Sequence, residues 1–165
     1  ALVCRPAKPA CLACPLRERC AAHRAGLAET LPKKTPKAPR AARFATAFHL
    51  TRGDGAVLFR RRPPDGLLGG LIELPSTSWR DEAPNAAAAA PVAADWRVLP
   101  GRVRHVFTHL TLEIELWTAR VDTATATVAV AEPIWCPPGS FDSLALPTLT
   151  RKLLAHVARV EGAGG

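Results

Sequence analysis

Four thiols stand close together at the start of this chain. Cys4, Cys11, Cys14 and Cys20 follow the pattern C-x6-C-x2-C-x5-C, and cysteines so close in sequence can converge on one centre because every spacer is a short loop. Pro6, Pro9 and Pro15 stiffen the intervening turns. Three chemistries fit four such thiols: a cubane iron-sulfur cluster, a structural zinc, or disulfides. Zinc sites usually carry two C-x2-C knuckles, whereas here only Cys11 and Cys14 are so paired. Arg5, Lys8, Arg17 and Arg19 surround the cysteines. A thiolate-held cluster is anionic and favours such neighbours, and the same basic loops suit a phosphate backbone. Cys136, the fifth cysteine, lies beside Trp135 in an apolar stretch and reads as a buried thiol.

The rest of the chain must supply what that loop is attached to. A chain of 165 residues accommodates one domain with a proper core plus an appendage. It contains no methionine, so it reads as a fragment or processed product. No long apolar run or signal-like start argues for a membrane span or export, and the cysteine usage suits a reducing compartment. A cytoplasmic bacterial monomer is the expectation, the Ala-, Arg- and Pro-heavy composition pointing to a GC-rich genome. Charge is uneven: residues 1–43 hold ten Lys and Arg against two acids, while residues 44–165 hold twelve against twelve. A basic excess confined to the N-terminal quarter is the footprint of a polyanionic partner, nucleic acid being the commonest.

The organisation expected is a cluster loop over 1–24, a Pro/Lys-rich extended linker over 25–42, and a folded domain over 43–161. In the folded domain, Phe44, Thr46, Phe48 and Leu50 alternate with smaller residues as a strand, Gly53-Asp54-Gly55 turns, and 56–60 returns. A short strand follows at 71–74. The alanine-rich stretch 85–94 predicts a helix that Pro91 must kink. Strands are expected over 102–109, 110–121 and 127–135, then an amphipathic helix over 147–160 stopped by Gly162. Strands, a helix, more strands and a final helix make an α+β fold.

Two resemblances bear on what this assembly does. The cysteine spacing, with Cys11-Leu12-Ala13-Cys14-Pro15-Leu16 and Arg19-Cys20, closely resembles the cluster loop of the helix-hairpin-helix DNA glycosylases of the endonuclease III superfamily. The run Arg62-Pro63-Pro64-Asp65-Gly66-Leu67-Leu68-Gly69-Gly70-Leu71-Ile72-Glu73-Leu74-Pro75 resembles a segment of the Nudix-like C-terminal domain of adenine DNA glycosylases of the MutY type. Arg104-His105-Val106-Phe107-Thr108-His109 looks like that domain's lesion-reading loop. Leu68 and Ile72 depart from tryptophans frequent in that family, and Thr108 stands where serine is common.

The resemblance implies a Nudix-like mixed β-sheet with flanking helices, preceded by an iron-sulfur cluster loop and a linker. It implies a 4Fe-4S cluster on Cys4, Cys11, Cys14 and Cys20, lesion recognition by Phe107, Thr108 and His109, and DNA-backbone contacts from Arg5, Lys8, Arg17, Arg19 and Arg104. The parent enzyme would remove adenine mispaired with 8-oxoguanine in double-stranded DNA. The family's catalytic acids lie upstream of the cluster, so no residue here matches them, and this chain alone would not catalyse.

Nudix domains are also diphosphate hydrolases, whose box G-x5-E-x7-R-E-U-x-E-E holds magnesium on a helix. Aligned here, the box glycine falls on Ser76 and the first acid on Glu82. The later acid positions fall among Ala90, Pro91, Ala94 and Asp95. A recognition module without hydrolase chemistry is therefore expected. The alternatives are a DNA-binding module with a zinc site, or a diphosphate hydrolase. Among single residues, His105 and His109 suit hydrogen bonding or phosphate contact, Glu73 a structural partnership with a backbone amide or an arginine, and Trp79 and Trp96 packing.

Overall fold

The computed structural model describes residues 2–33, 39–122 and 127–163. It divides into two compact units, Ala1–Pro39 and Arg40–Gly165. The smaller unit is built of turns: 3-10 turns at Cys11–Ala13 and Arg17–Arg19, and a short helix α1, Ala21–Arg24. None of its described residues is buried. The predicted linker falls partly in this unit, and its residues 34–38 lie outside the described residues.

The larger unit is α+β, with a mixed sheet. Its strands are β1 Ala41–Arg52, β2 Val57–Arg61, β3 Ile72–Glu73, β4 Arg97–Val106, β5 Leu110–Val121 and β6 Pro133–Cys136, followed by helix α2, Thr148–Gly162. The sheet runs β3-β2-β1-β5-β4, with β6 on β2. β1 is its centre, parallel to β5 in unbroken register from Ala41↔Leu110 to Arg52↔Val121. Thr46, Ala47, Phe48, His49 and Leu50 are all buried, because a central strand is covered on both faces.

The two faces are packed differently. On one, Ala45 and Ala47 of β1 join Phe59, Leu112, Ile114 and Leu116 in a core closed by Leu149, Leu153 and Val157 of α2. Small residues on the central strand let a helix lie close. On the other, Leu50, Leu58 and Ala119 meet Trp96, Val121 and Trp135, and Phe48 takes Trp96 and Trp117 edge-on.

The turn after β1 is fixed by Asp54. Its carboxylate accepts the Ala56 N–H at 3.1 Å and the Arg52 guanidinium at 2.6 Å, and these bonds, Arg52's first, hold the acid at about 2.

Four expectations differ. The stretch 85–94 forms no α-helix, only a 3-10 turn at Ala87–Ala89. Pro84 and Pro91 leave too few residues for nucleation to be repaid, and alanines bring little apolar area to a core. β4 starts at Arg97 and not near 102, absorbing Pro100 and Gly101 in an irregularity between Val98 and Arg102; Gly101 has φ 83°. An edge strand tolerates a proline that a central one does not. The predicted strand 127–135 shrinks to Pro133–Cys136; Glu132 has φ 46°, which breaks extended geometry, and residues 123–126 lie outside the described residues. Helix α2 runs through Gly162, with Ala163 at its C-cap, so Gly162 does not stop it. Among the described residues no helix is long and apolar enough to cross a membrane.

Candidate functional site

In the smaller unit, Cys4, Cys11, Cys14 and Cys20 line one cavity of about 400 Å³, together with Arg5, Arg17 and His23. None is in a disulfide. The two 3-10 turns place them: Cys11 opens the first, whose last turn is closed by the Cys14 N–H on the Cys11 carbonyl at 3.2 Å. The second is closed in the same way by Cys20 on Arg17, also at 3.2 Å. Arg17 Nε donates to His23 Nε2 at 3.0 Å. Arg5, Lys8, Arg17 and Arg19 are all exposed. Among the described residues no three His, Cys, Asp or Glu side chains are gathered as a site for a single metal ion. The four thiols share the lining of that cavity.

In the larger unit β3 and the segment after it carry the first set of residues. Glu73, buried, accepts from Arg60 Nη2 at 2.8 Å and from Arg62 Nη1 at 2.9 Å. Arg60 in β2 and Arg62 just beyond it are thereby tied to β3. Pro75–Arg80 then runs along β1: the Phe48 N–H donates to the Pro75 carbonyl at 2.8 Å, Thr77 N–H to the Thr46 carbonyl at 3.0 Å, and Phe44 N–H to the Arg80 carbonyl at 2.7 Å. Ser76 forms a bridge to Ala47. The aligned acids Glu82 and Asp95 are exposed and stand at the two ends of a segment whose only regular turn is Ala87–Ala89. The neighbouring Asp81 pairs with Arg43.

The loop between β2 and β3 is tightly folded. A Cβ on Gly69 would lie 2.0 Å from the Pro64 carbonyl oxygen, so only glycine fits. Leu68, which follows two prolines and a turn, takes φ 63°, a left-handed value that costs a branched side chain energy.

Phe107, Thr108 and His109 form the tip joining β4 to β5, closed by the Phe107 N–H on the Leu110 carbonyl at 2.8 Å. Thr108 and His109 are exposed, while Phe107 is half-buried against Trp79, 5.5 Å between centroids with planes 29° apart. Phe107 thus packs inward and does not project. Arg40 Nε donates to the Thr108 carbonyl at 3.4 Å. Arg104 is exposed on β4 opposite Glu113. His105 Nδ1 is buried without a partner among the described residues. Burial, reinforced by Lys152, pushes this imidazole below its ordinary 6.5. Arg40, assigned by composition to a linker, was missed; only its later contact with the tip could have marked it.

Residues 46–156 match the family model described as NUDIX domain. The chain belongs to the NUDIX domain family. Among solved structures, it is similar to the C-terminal domain of mouse MUTYH, crystallised with human PCNA, at 21% identity over 71% of this chain and 88% of that one, with a TM-score of 0.55. It is similar also to the MutT protein of Methanosarcina mazei Go1, at 13% identity over 78% of this chain and 99% of that one, with a TM-score of 0.58. RenU, a Nudix hydrolase of M. smegmatis, follows at 18% identity over 79% and 93%, TM-score 0.51. At these identities the likeness is one of fold.

Proposed function

We propose that this chain is the C-terminal part of an adenine DNA glycosylase of the MutY type. In this reading the NUDIX domain recognises 8-oxoguanine opposite adenine, and the N-terminal unit carries a 4Fe-4S cluster. The observation that carries it is the box segment. A diphosphate hydrolase needs several acids on one helix to hold magnesium, and residues 76–95 form no such helix, with Asp81 and Glu82 adjacent and exposed and Asp95, also exposed, beyond the Ala87–Ala89 turn. The fold is common to glycosylase domains and hydrolases alike, so the proposal rests on the box chemistry.

The tip supplies the chemistry of reading. Guanine presents N7 as an acceptor in the major groove, whereas 8-oxoguanine carries a proton on N7 and a carbonyl at C8. A hydroxyl both accepts and donates, and Thr108 carries one at an exposed tip. His109, also exposed, suits a phosphate or an anchor to the strand. Arg104 and the basic residues Arg5, Lys8, Arg17 and Arg19 would contribute non-specific phosphate affinity.

In the N-terminal unit, Cys4, Cys11, Cys14 and Cys20 would hold the cluster, their free thiols lining one cavity in support of it. When bound, the cluster supplies a rigid, negatively charged centre that ties the loop together. Arg5 and Arg17, at the cavity wall, would also balance that charge, whereas Lys8 and Arg19 lie outside the lining.

The test pairs two assays on the same protein. Duplexes carrying 8-oxoguanine or guanine opposite adenine should be bound with preference for the lesion, and normal or oxidised nucleoside triphosphates with magnesium should not be hydrolysed. Turnover that disappears in Glu82→Gln would overturn the reading in favour of a diphosphate hydrolase. Thr108→Val should cost about 1 to 2 kcal/mol of the lesion preference, the scale of one readout hydrogen bond, and Thr108→Ser almost nothing.

A further inference from the structure

The tip at 107–109 is held by a stack of side chains from elsewhere in the fold. Phe107 lies against Trp79, nearly parallel to it. The Arg62 guanidinium sits over the Trp79 ring, 4.5 Å from its centroid, and is itself anchored by its 2.9 Å bond to Glu73. His105 leans on Phe107 with ring centroids 4.5 Å apart. Trp79 belongs to neither strand of the hairpin. It comes from the Pro75–Arg80 segment, which is bonded to β1 at both ends through Phe48 and Phe44. A ring fixed to the centre of the sheet thus meets the one aromatic side chain of the tip.

We propose that Trp79 is a positioning residue for the tip: by stacking on Phe107, and with Arg62 steadying its own ring, it fixes the main chain from which Thr108 projects. This rests on the reading of the tip as the 8-oxoguanine sensor. The physical reason is the difference in tolerance between two kinds of contact. Phosphate contacts are long-range and survive small displacements, so they set affinity. The distinction between guanine and 8-oxoguanine is one donor against one acceptor, and a hydrogen bond weakens steeply once its distance and angle drift. A tip freed from Trp79 therefore loses discrimination before it loses affinity. An aromatic ring that merely filled space would lower stability and leave the ratio of affinities alone.

The test uses the full chain and two duplexes, 8-oxoguanine opposite adenine and guanine opposite adenine, at one salt concentration. Thr108→Val should lower the affinity ratio about tenfold, the equivalent of one hydrogen bond. Trp79→Ala should lower it by a similar factor, and the double variant by no more than either alone, because both act on the same bond. Trp79→Phe, which keeps a stacking face, should retain most of the ratio. In parallel, hydrogen exchange of the Phe107 amide should speed up in Trp79→Ala and stay slow in Trp79→Phe. If Thr108→Val lowers the ratio and Trp79→Ala leaves it intact, or if the two losses add, positioning by Trp79 is overturned while the sensor reading stands. If Thr108→Val itself leaves the ratio unchanged, the sensor reading falls and the inference with it. Unchanged exchange at Phe107 in Trp79→Ala overturns the positioning without reference to DNA.

Discussion

The two units of this protein hold themselves together by different means. The NUDIX domain has a sheet covered on both faces, with Phe48, Leu50, Leu58, Phe59, Leu112 and Leu116 at most 1% exposed. In the N-terminal unit no described residue is buried, and Leu2, Leu12 and Leu16 are 95%, 84% and 66% exposed. The first kind of order comes from apolar area removed from water. The second has no such source: a stretch of this size has too little interior, and natural solutions at that scale are disulfides, metals or a partner surface. The four free cysteines around one cavity are where a metal source would act.

That contrast can be broken first at the cysteines. Cys14→Ser should abolish iron and inorganic sulfide in anaerobically purified protein and open residues 1–33 to proteolysis, while the unfolding midpoint of the NUDIX domain stays where it was. Iron content unaffected by the change, or zinc without sulfide in the wild type, would replace the cluster by another ligand. Next in size is the core itself. Phe59→Ala should cost about 3 to 5 kcal/mol in denaturant unfolding and leave metal content per folded molecule unchanged; a joint loss of both would mean the units are not energetically separate.

A smaller effect is expected from pH. His49 is buried at the centre of β1, 3.3 Å from the Thr118 hydroxyl. Burial lowers its pKa from 6.5, with Glu161 opposing. The unfolded chain takes up the proton at the ordinary value while the folded one resists. Stability of the domain is therefore full above that value and declines as pH falls below it. His105 is shifted in the same direction. Urea midpoints at about pH 7.5 and about pH 5.5 should differ, and His49→Gln should reduce the difference. A midpoint that rises on acidification would contradict the burial argument. At the small end, Leu12→Ala should change the stability of the NUDIX domain by no more than about 0.5 kcal/mol, as for an ordinary surface substitution, whereas Leu112→Ala should cost about 2 to 5.

Much of the domain was legible because alternation and turn residues act locally. Leu112, Ile114 and Leu116 marked the buried face of β5, Gly53-Asp54-Gly55 marked the first hairpin, and Leu149, Leu153 and Val157 marked the inner stripe of α2. Where local preference and packing disagreed, packing won. Ala86–Ala90 had the highest helix propensity in the chain and formed one turn, since propensity without an apolar face to bury stabilises little. The strand expected from 102 begins at Arg97 and takes in Pro100 and Gly101, because β4 is an edge where an irregularity is cheap.

For the candidate site the division is similar. Sequence alone determined the identity and spacing of Cys4, Cys11, Cys14 and Cys20, the replacement of two aligned box acids by Pro91 and Ala94, and the hydroxyl at Thr108, since residue type decides which chemistry is available. Only the tertiary structure decided which side chains meet. It set Trp79 against Phe107, Arg62 over Trp79, Arg60 and Arg62 on Glu73, and Arg40 on the Thr108 carbonyl. None of these partners is near the other in sequence with a period that would reveal it. They are neighbours because β1 lies between β2 and β5 and the chain after β3 folds back along it, and such long-range pairings depend on the packing of the whole sheet.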